Sequence, residues 1–218
     1  MKSNPFPLCL FAGFFAAALA AAEPANPPEK AAGWLVLFDG RTLDGWRASD
    51  LPGTFSVRDG ELIVKGPRSH LYYTGPVADH DFRNFELSLE VKTFPRANSG
   101  VYFHTQWQEK GWPDHGYEVQ VDNSHSDPSR TAGLYDVKGN YEPVAKDGQW
   151  FELRIKVVGK RIITTVDGRV VIDWTEPEGW TPPANHAHRA IFHGTFALQG
   201  HDPGSEVHYR NIRVRLLP

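Results

Sequence analysis

Apolar and polar residues alternate along much of the chain, and this period of two constrains the fold more than any other feature. Residues 85–92 read FELSLEVK and residues 152–157 read ELRIKV, so each segment places its apolar side chains on one face. No amphipathic stretch with a period of 3.6 residues extends beyond about two helical turns. We therefore expect an all-β fold in which no helices cover the sheets.

The segments between these alternating runs carry turn signatures. Asp59-Gly60 and Asp167-Gly168 match the type I′ hairpin, in which both central residues have positive φ, and Gly159-Lys160 marks a further turn. The parity of the apolar residues changes after Tyr209, which predicts a bulge near Arg210-Asn211. Many short strands joined in this way predict a two-sheet antiparallel β-sandwich of the jelly-roll type.

The first residues predict export. Residues 1–22 combine Lys2, a long apolar run and a terminal AAA, a pattern typical of a cleaved signal peptide. The run is shorter than the roughly 20 residues that cross a bilayer, so no membrane segment is expected after cleavage, with an uncleaved anchor as the alternative. Residues 23–33 contain three prolines and predict a flexible linker, and residues 34–218 form one domain. We expect a periplasmic or extracellular protein.

The charge balance limits the classes of partner. The 23 Lys and Arg residues stand against 26 Asp and Glu residues, giving a formal net charge of −3 without a long basic run. A nucleic-acid binder would show a clustered basic footprint, so that class is excluded. The 40% of apolar residues is enough for one sizeable core. A neutral small molecule is the expected partner, and the sequence leaves the oligomeric state open.

One strand is predicted to carry the polar groups of a binding groove. In residues 116–122 (GYEVQVD), the apolar side chains face the core, and Glu118, Gln120 and Asp122 share the other face. The alternative is an ordinary solvated strand face. Two more segments show the same arrangement: Tyr102 and His104 share one face, as do Gln199 and His201. Planar polar groups beside aromatic rings are suited to binding sugars, because the rings cover the apolar faces of a pyranose.

Several short motifs together resemble one known family. They are FDGRTLDGW at 38–46, NSG at 98–100, GYEVQVDN at 116–123, TAGLYDV at 131–137, ALQGH at 197–201 and YRNIRV at 209–214. In this order, from about Trp34 to Leu217, they resemble the 3-keto-disaccharide hydrolase-like domain. The resemblance implies a concanavalin A-like jelly roll of the lectin and glucanase type.

The resemblance also implies action on glycosides already oxidised to a ketone at C3. The ketone acidifies the hydrogen on C2, so a general base can remove it and form an enolate that expels the C1 substituent. Water can add to the resulting enone, which gives net hydrolysis. This chemistry requires no cofactor. A divalent ion that polarises the ketone is an open alternative, although no histidine spacing in the chain matches a zinc pattern, and no metal ligand is assigned.

The resemblance assigns the catalytic groups. Glu118 matches the Glu of the family's E-x-Q motif and is expected to be the general base; an ion pair with an arginine of the same sheet is the alternative. His201 is a second acid–base candidate, with an ordinary surface histidine as the alternative. His104 stands where many relatives have arginine, so acid–base, metal-binding and hydroxyl-binding roles all stay open. Gln120 and Gln199 are expected to bind sugar hydroxyls, because an amide both donates and accepts.

The remaining candidates for substrate binding each have a structural alternative. Tyr102 shares the polar face. Asp122 is expected either to bind substrate or to cap the following turn, and Lys138 either to stabilise an enolate oxygen or to be a solvated loop residue. Arg210 resembles the family's late arginine, with a structural ion pair as its alternative, and Trp107 is expected to stack on a sugar or to join the local core.

Two other functions compete with keto-glycoside cleavage. A non-catalytic carbohydrate-binding module would use the same concave face. An ordinary glycoside hydrolase needs two carboxyls, roughly 5–5.5 Å apart when retaining and roughly 6.5–9.5 Å apart when inverting. Gln120 occupies the position where a second carboxylate would follow Glu118 on this face, and Asp122 lies about 13 Å along the strand. This argues against a retaining pair on this strand.

Overall fold

The computed structural model describes Met1 and residues 33–218. The predicted signal peptide (1–22) and linker (23–33) lie outside the described residues, apart from Met1 and Gly33. Within the described part of the chain, no helix is both long and apolar enough to cross a membrane. The predicted domain from 34 to 218 is described throughout.

In residues 33–218, the regular structure consists of thirteen strands and two 3₁₀ segments. The strands are β1 Trp34–Val36, β2 Trp46–Ala48, β3 Phe55–Arg58, β4 Glu61–Lys65, β5 Ser69–Tyr73, β6 Phe85–Thr93, β7 Ser99–Thr105, β8 Tyr117–Val121, β9 Phe151–Val158, β10 Arg161–Val166, β11 Arg169–Thr175, β12 Thr195–Gly200 and β13 Glu206–Leu216. The 3₁₀ segments are Pro52–Thr54 and Val77–His80.

The strands form two antiparallel sheets. The larger sheet runs β11-β10-β9-β6-β13-β4-β3, with β1 also paired to β13, and the smaller runs β2-β5-β12-β7-β8. Apolar side chains from the inner faces of both sheets fill one core, among them Leu89, Val101, Val119 and Ile155. The predicted all-β sandwich of jelly-roll type is confirmed, and its cause is the alternation that gives each strand one apolar face.

The predicted turns and the predicted bulge are confirmed. Asp59 and Gly60 have φ of 53° and 82°, and Asp167 and Gly168 have φ of 48° and 77°, as a type I′ hairpin requires. Asn211 has φ of 52°, and the register of β13 against β6 shifts between Arg210 and Arg213. The bulge divides β13 into a first half paired with β4 and a second half paired with β1.

The outer face of the smaller sheet is covered. Every residue of β5, β7, β8 and β12 is buried, including the polar ones that point away from the core. Two long connections, 106–116 between β7 and β8 and 176–194 between β11 and β12, supply residues that border this face. The alternative of an ordinary solvated strand face is therefore wrong for β8.

Candidate active site

Glu118 lies at the centre of a cluster that three strands bring together. It is on β8, is only 5% exposed, and is the cross-strand partner of Tyr102 on β7. Gln199 on β12 donates from Nε2 to Glu118 Oε1 at 2.7 Å and to the Tyr102 hydroxyl at 3.0 Å. The adjacent strands β12, β7 and β8 place these side chains on one face, as the alternation predicts.

A second group of amides lies beside this cluster. Gln120 Nε2 donates to Asn98 Oδ1 at 2.9 Å. The other amide atoms, Gln120 Oε1 and Gln199 Oε1, are buried and have no hydrogen-bond partner within the described residues. Buried acceptors of this kind are costly unless a ligand or water completes them. Both oxygens are therefore suited to accept hydrogen bonds from sugar hydroxyls.

Gly100 provides the space that the Glu118 side chain occupies. A Cβ at position 100 would lie 2.4 Å from Glu118 Oε1 and 2.9 Å from its Cγ. These are closer approaches than van der Waals contact allows, so any larger residue would push the carboxylate aside. The glycine of the NSG segment thus positions Glu118 from the neighbouring strand.

Arg189 is the cation nearest to this carboxylate. It comes from the loop between β11 and β12, is 3% exposed, and places Nη2 3.9 Å from Glu118 Oε2. Its Nη1 donates to the carbonyl oxygen of Tyr135 at 2.5 Å, and its own carbonyl accepts from Trp180 Nε1. These contacts hold the guanidinium beside Glu118 at the distance of an ion pair, beyond that of a hydrogen bond.

Burial dominates the ionisation of the cluster. Removal from water raises the pKa of Glu118 above its ordinary value, although Arg189, Tyr102 and Gln199 all favour the carboxylate and oppose this shift. Burial and the neighbouring carboxylate raise the pKa of Tyr102 well above its usual range, so its hydroxyl stays protonated. Glu118 is consequently a more basic carboxylate than a surface glutamate, with the neutral side chains of Tyr102 and Gln199 and the cation of Arg189 around it.

A cavity of about 280 Å³ opens onto the cluster. This is close to the lower end of the roughly 300–1,000 Å³ typical of small-molecule sites, which fits one sugar ring better than a long glycan. His201 lies at the wall, its Nδ1 2.8 Å from Asp202 Oδ2, so Nε2 is the ring atom free to reach a ligand. The lining residues are Asn98, Tyr102, Trp112, Pro113, Glu118, Gln120, Asp127, Tyr135, His186, Arg189, Gln199 and His201.

His104 does not line this cavity, which corrects the expectation that it shares a face with Tyr102. Its φ of 57° breaks the alternation at the end of β7 and turns the ring the other way. Nε2 donates to the Arg83 carbonyl at 2.9 Å, and Nδ1 accepts from the Phe192 amide at 3.3 Å. Burial lowers its pKa to about 4. His104 is therefore a neutral, fully hydrogen-bonded core histidine without access to a substrate in the cavity.

Asp122 and Trp107 are also outside the cavity. Asp122 Oδ1 accepts from the His125 amide at 2.8 Å, and Oδ2 lies 3.3 Å from Arg130 Nη1, so the carboxylate caps the turn after β8. Trp107 packs on Tyr72 and Tyr102, and the Arg47 guanidinium lies 3.3 Å from its ring centroid. Of the two roles left open for each residue, the structure supports the structural one.

Lys138 and Arg210 lie away from the cavity as well. The Lys138 residue is exposed, and its carbonyl accepts from the Leu134 amide at 2.9 Å in a tight turn. Arg210 belongs to the other sheet, where Nε lies 2.6 Å from Glu90 Oε2 and the guanidinium lies 4.1 Å from the Trp150 ring centroid. The expectation that these two residues bind substrate is corrected, because neither side chain reaches the cavity.

Seven lining residues were not among the sequence candidates: Asn98, Trp112, Pro113, Asp127, Tyr135, His186 and Arg189. All lie outside the strands, so no periodicity predicts where their side chains point. Asn98, from the NSG motif, is the hydrogen-bond partner of Gln120. Asp114, His115 and His188 could share a metal, and they lie on the loops that border the cavity rather than among its lining residues.

Solved structures with similar folds include known carbohydrate-active proteins. A Parabacteroides distasonis protein, provisionally classed as a glycosyl hydrolase, superposes with a TM-score of 0.73 at 20% identity, covering 85% of this chain and 94% of that one. A second such protein from the same organism gives 0.66 at 26% identity, covering 84% and 99%. A Bacillus licheniformis β-glucanase gives 0.57 at 10% identity, covering 86% and 100%. These neighbours identify a glucanase- and lectin-type jelly roll.

Sequence comparison gives the family. A 3-keto-disaccharide hydrolase from Bacteroides thetaiotaomicron is 26% identical over 237 aligned positions, covering 87% of this chain and 80% of the relative. The profile of the 3-keto-alpha-glucoside-1,2-lyase-like domain matches residues 33–215, which is almost the entire described domain. The chain therefore belongs to the 3-keto-alpha-glucoside-1,2-lyase-like domain family.

Proposed function

We propose that this protein cleaves the glycosidic bond of 3-keto-glycosides, with Glu118 as the general base. The observation that carries the proposal is a buried carboxylate, hydrogen-bonded by Gln199, that lines a cavity large enough for one sugar ring. Family membership and the similarity to a 3-keto-disaccharide hydrolase support a glycoside hydrolase-like function. A desolvated carboxylate next to neutral donors is suited to removing a proton from carbon.

In the first step, Glu118 takes the hydrogen on C2 as a proton, and the electrons of that bond form the enolate of the C3 ketone. The negative charge moves from the carboxylate to the ketone oxygen, so catalysis needs donors near that oxygen. Tyr102 and Arg189 both lie beside Glu118 and carry protons. Their role is to stabilise the charge within the cavity while it moves from one oxygen to the other.

In the second step, the enolate re-forms the ketone, a C1–C2 double bond appears, and the C1–O bond breaks. The leaving oxygen takes a proton, for which His201 is the candidate donor, since Asp202 holds its Nδ1 and leaves Nε2 for the substrate. Water can then add its oxygen to C1 and give one proton to His201, which replaces the proton passed to the leaving oxygen, while C2 regains a proton from Glu118. The sum of these steps is hydrolysis without an oxocarbenium transition state.

One observation favours a second candidate function, an ordinary two-carboxylate glycosidase. Asp127 lines the same cavity as Glu118, so the cavity contains a second carboxyl that the sequence pattern does not place there. Such an enzyme would act on unoxidised glycosides and would need both carboxyls. Its Asp127→Asn variant would lose nearly all activity, whereas enolate chemistry at Glu118 does not require Asp127.

The test compares an aryl 3-keto-glucoside with the matching unoxidised glucoside. We expect the purified protein to release the aryl alcohol from the keto-glucoside only, and Asp127→Asn to retain most of that activity. Turnover of the unoxidised glucoside, abolished by Asp127→Asn, would instead establish the two-carboxylate mechanism. Tight binding of either sugar without turnover would make the protein a binding module and contradict the proposal.

A further inference from the structure

Three metal-ligating side chains meet outside the cavity, on two loops that are far apart in the sequence. Asp114 and His115 precede β8, and His188 lies between β11 and β12. Their ligating atoms all lie within 4.8 Å of one another. His188 Nδ1 is 3.1 Å and His115 Nδ1 is 3.9 Å from Asp114 Oδ2, and the two imidazole centroids are 4.6 Å apart.

The backbone holds these loops together independently of the side chains. His115 and His188 form an isolated parallel bridge, and the Gly116 amide donates to the His188 carbonyl at 3.3 Å. Both histidines are thus fixed at paired backbone positions just before β8 begins at Tyr117. The cluster follows from the fold of the two loops and does not depend on a chance approach of flexible side chains.

We propose that Asp114, His115 and His188 form a binding site for a divalent transition metal of the zinc class. Two imidazole nitrogens and one carboxylate are a common three-ligand set for this ion, with water at the fourth position. Bonds of about 2.0–2.2 Å set tetrahedral ligands roughly 3.3 Å apart. The His188–Asp114 pair is already at about that separation. The His115 ring is half-exposed, so it can rotate and shorten its 3.9 Å distance to Asp114.

The position of the cluster gives the metal a structural role. Trp112 and Pro113, immediately before Asp114, line the cavity, and so do His186 and Arg189 on either side of His188. A metal bound by both loops would therefore tie together two walls of the cavity. It would also restrain the loop that positions Arg189 next to Glu118.

An exposed ion pair is the competing explanation, because histidine and aspartate also meet at protein surfaces without a metal. The chain offers a matched control. His193 Nδ1 lies 2.6 Å from Asp81 Oδ1, also at the surface, but without a second histidine in the group. If only the imidazole–carboxylate contact mattered, the two pairs would respond alike to added zinc.

The test titrates ZnCl₂ into untagged protein stripped with EDTA and follows binding by calorimetry. We expect one equivalent of Zn²⁺ per chain, an affinity loss of tenfold or more in both His188→Ala and Asp114→Asn, and unchanged affinity in His193→Ala. Zn²⁺ should raise the melting temperature of wild type and His193→Ala only, because a ligand stabilises the state that binds it.

Absence of binding to wild type, or equal affinity in wild type and both ligand variants, would overturn the site. Melting curves in EDTA show whether each variant is folded. Asp114 and His188 are both exposed, so if one variant does not fold, the other still tests the site. Binding is measured without substrate, so this result is independent of whether the protein cleaves 3-keto-glycosides.

Discussion

The outer faces of the two sheets are built from similar alternating strands, yet their polar groups behave differently. On the larger sheet, charged residues pair with each other in contact with solvent, as in Arg210–Glu90 at 2.6 Å and Arg161–Asp173 at 2.6 Å. On the smaller sheet, Glu118 is buried, and the amide oxygens of Gln120 and Gln199 have no partner in the described structure. The first face consists largely of ion pairs in contact with solvent, whereas the second is desolvated and leaves two amide oxygens without a partner.

This contrast separates a surface face on the larger sheet from a candidate functional face on the smaller sheet. A solvated ion pair contributes little to folding and has no chemical task. A desolvated, partly unsatisfied polar group costs stability and is retained where a ligand completes it. The difference comes from the loops 106–116, 122–150 and 176–194, which border the smaller sheet, and not from the strand pattern.

The largest effect is expected from a substitution of Glu118, at the centre of the buried face. Glu118→Gln should lower kcat/KM on a 3-keto-glucoside by about 10²–10⁴-fold, because the amide cannot take a proton from C2. Substrate affinity should be nearly unchanged, since the amide oxygen can still accept from Gln199. Steady-state kinetics and equilibrium binding measure the two effects. Glu90→Gln on the opposite face is the control and should keep the wild-type rate; full activity in Glu118→Gln would remove it as the base.

A smaller effect comes from moving the same carboxylate without changing it. Gly100→Ala places a Cβ 2.4 Å from the present position of Glu118 Oε1, so the side chain must shift. A displacement of about 1 Å in a reacting group can cost roughly 10²-fold in rate. Gly53→Ala is the matched control, because nothing lies within 4 Å of its added Cβ. Equal kcat/KM in both variants would show that the position of Glu118 is not critical.

The third effect concerns the pH dependence of the buried face. Arg189 lowers the pKa of Glu118 against the effect of burial, so its removal should raise that pKa further. A base acts only when deprotonated; Arg189→Met should therefore move the acid limb of the kcat/KM profile to higher pH.

Arg189→Lys is the control for that shift. Lysine keeps the positive charge, so its acid limb should stay close to that of wild type. An acid limb that does not move in Arg189→Met, in a protein with a normal melting temperature, would contradict the electrostatic coupling between Arg189 and Glu118.

The smallest effect is expected on the solvated face. Arg210→Ala removes a half-exposed ion pair with Glu90 and should reduce the free energy of unfolding by no more than about 1 kcal/mol. It should leave kcat/KM unchanged, because Arg210 lies on the other sheet. Chemical denaturation and steady-state kinetics test both statements. A large loss of activity in a stable variant would mean that the two faces are coupled.

The sequence predicts the strand-borne half of the site well because alternation is a local property. Glu118, Gln120 and Gln199 face the cavity as their parity requires. The prediction for His104 is wrong because the alternation stops at that residue. Its φ of 57° turns the side chain to the other face, and the pattern of apolar residues gives no sign of this change. The prediction for Arg210 is wrong for a different reason. Its strand is predicted correctly, but the local sequence does not show which of the two sheets that strand joins.

The loop-borne half of the site could not be predicted from the sequence. Arg189 lies 71 positions after Glu118, in a segment without strand or helix, and reaches it only because the chain folds back over β8. The same holds for His188 and Asp114, whose separation in the sequence hides their contact. Such placements depend on tertiary packing, for which residue spacing contains no information.

The most direct test of the account is the reaction of a 3-keto-glucoside in D₂O, with the released sugar analysed by NMR. If Glu118 removes the C2 hydrogen, its carboxyl proton exchanges with water that enters as the leaving group departs, and C2 then regains deuterium. The account predicts deuterium at C2 of the product above a no-enzyme control, with none formed by Glu118→Gln. Rapid release of a sugar that retains only hydrogen at C2 would contradict it.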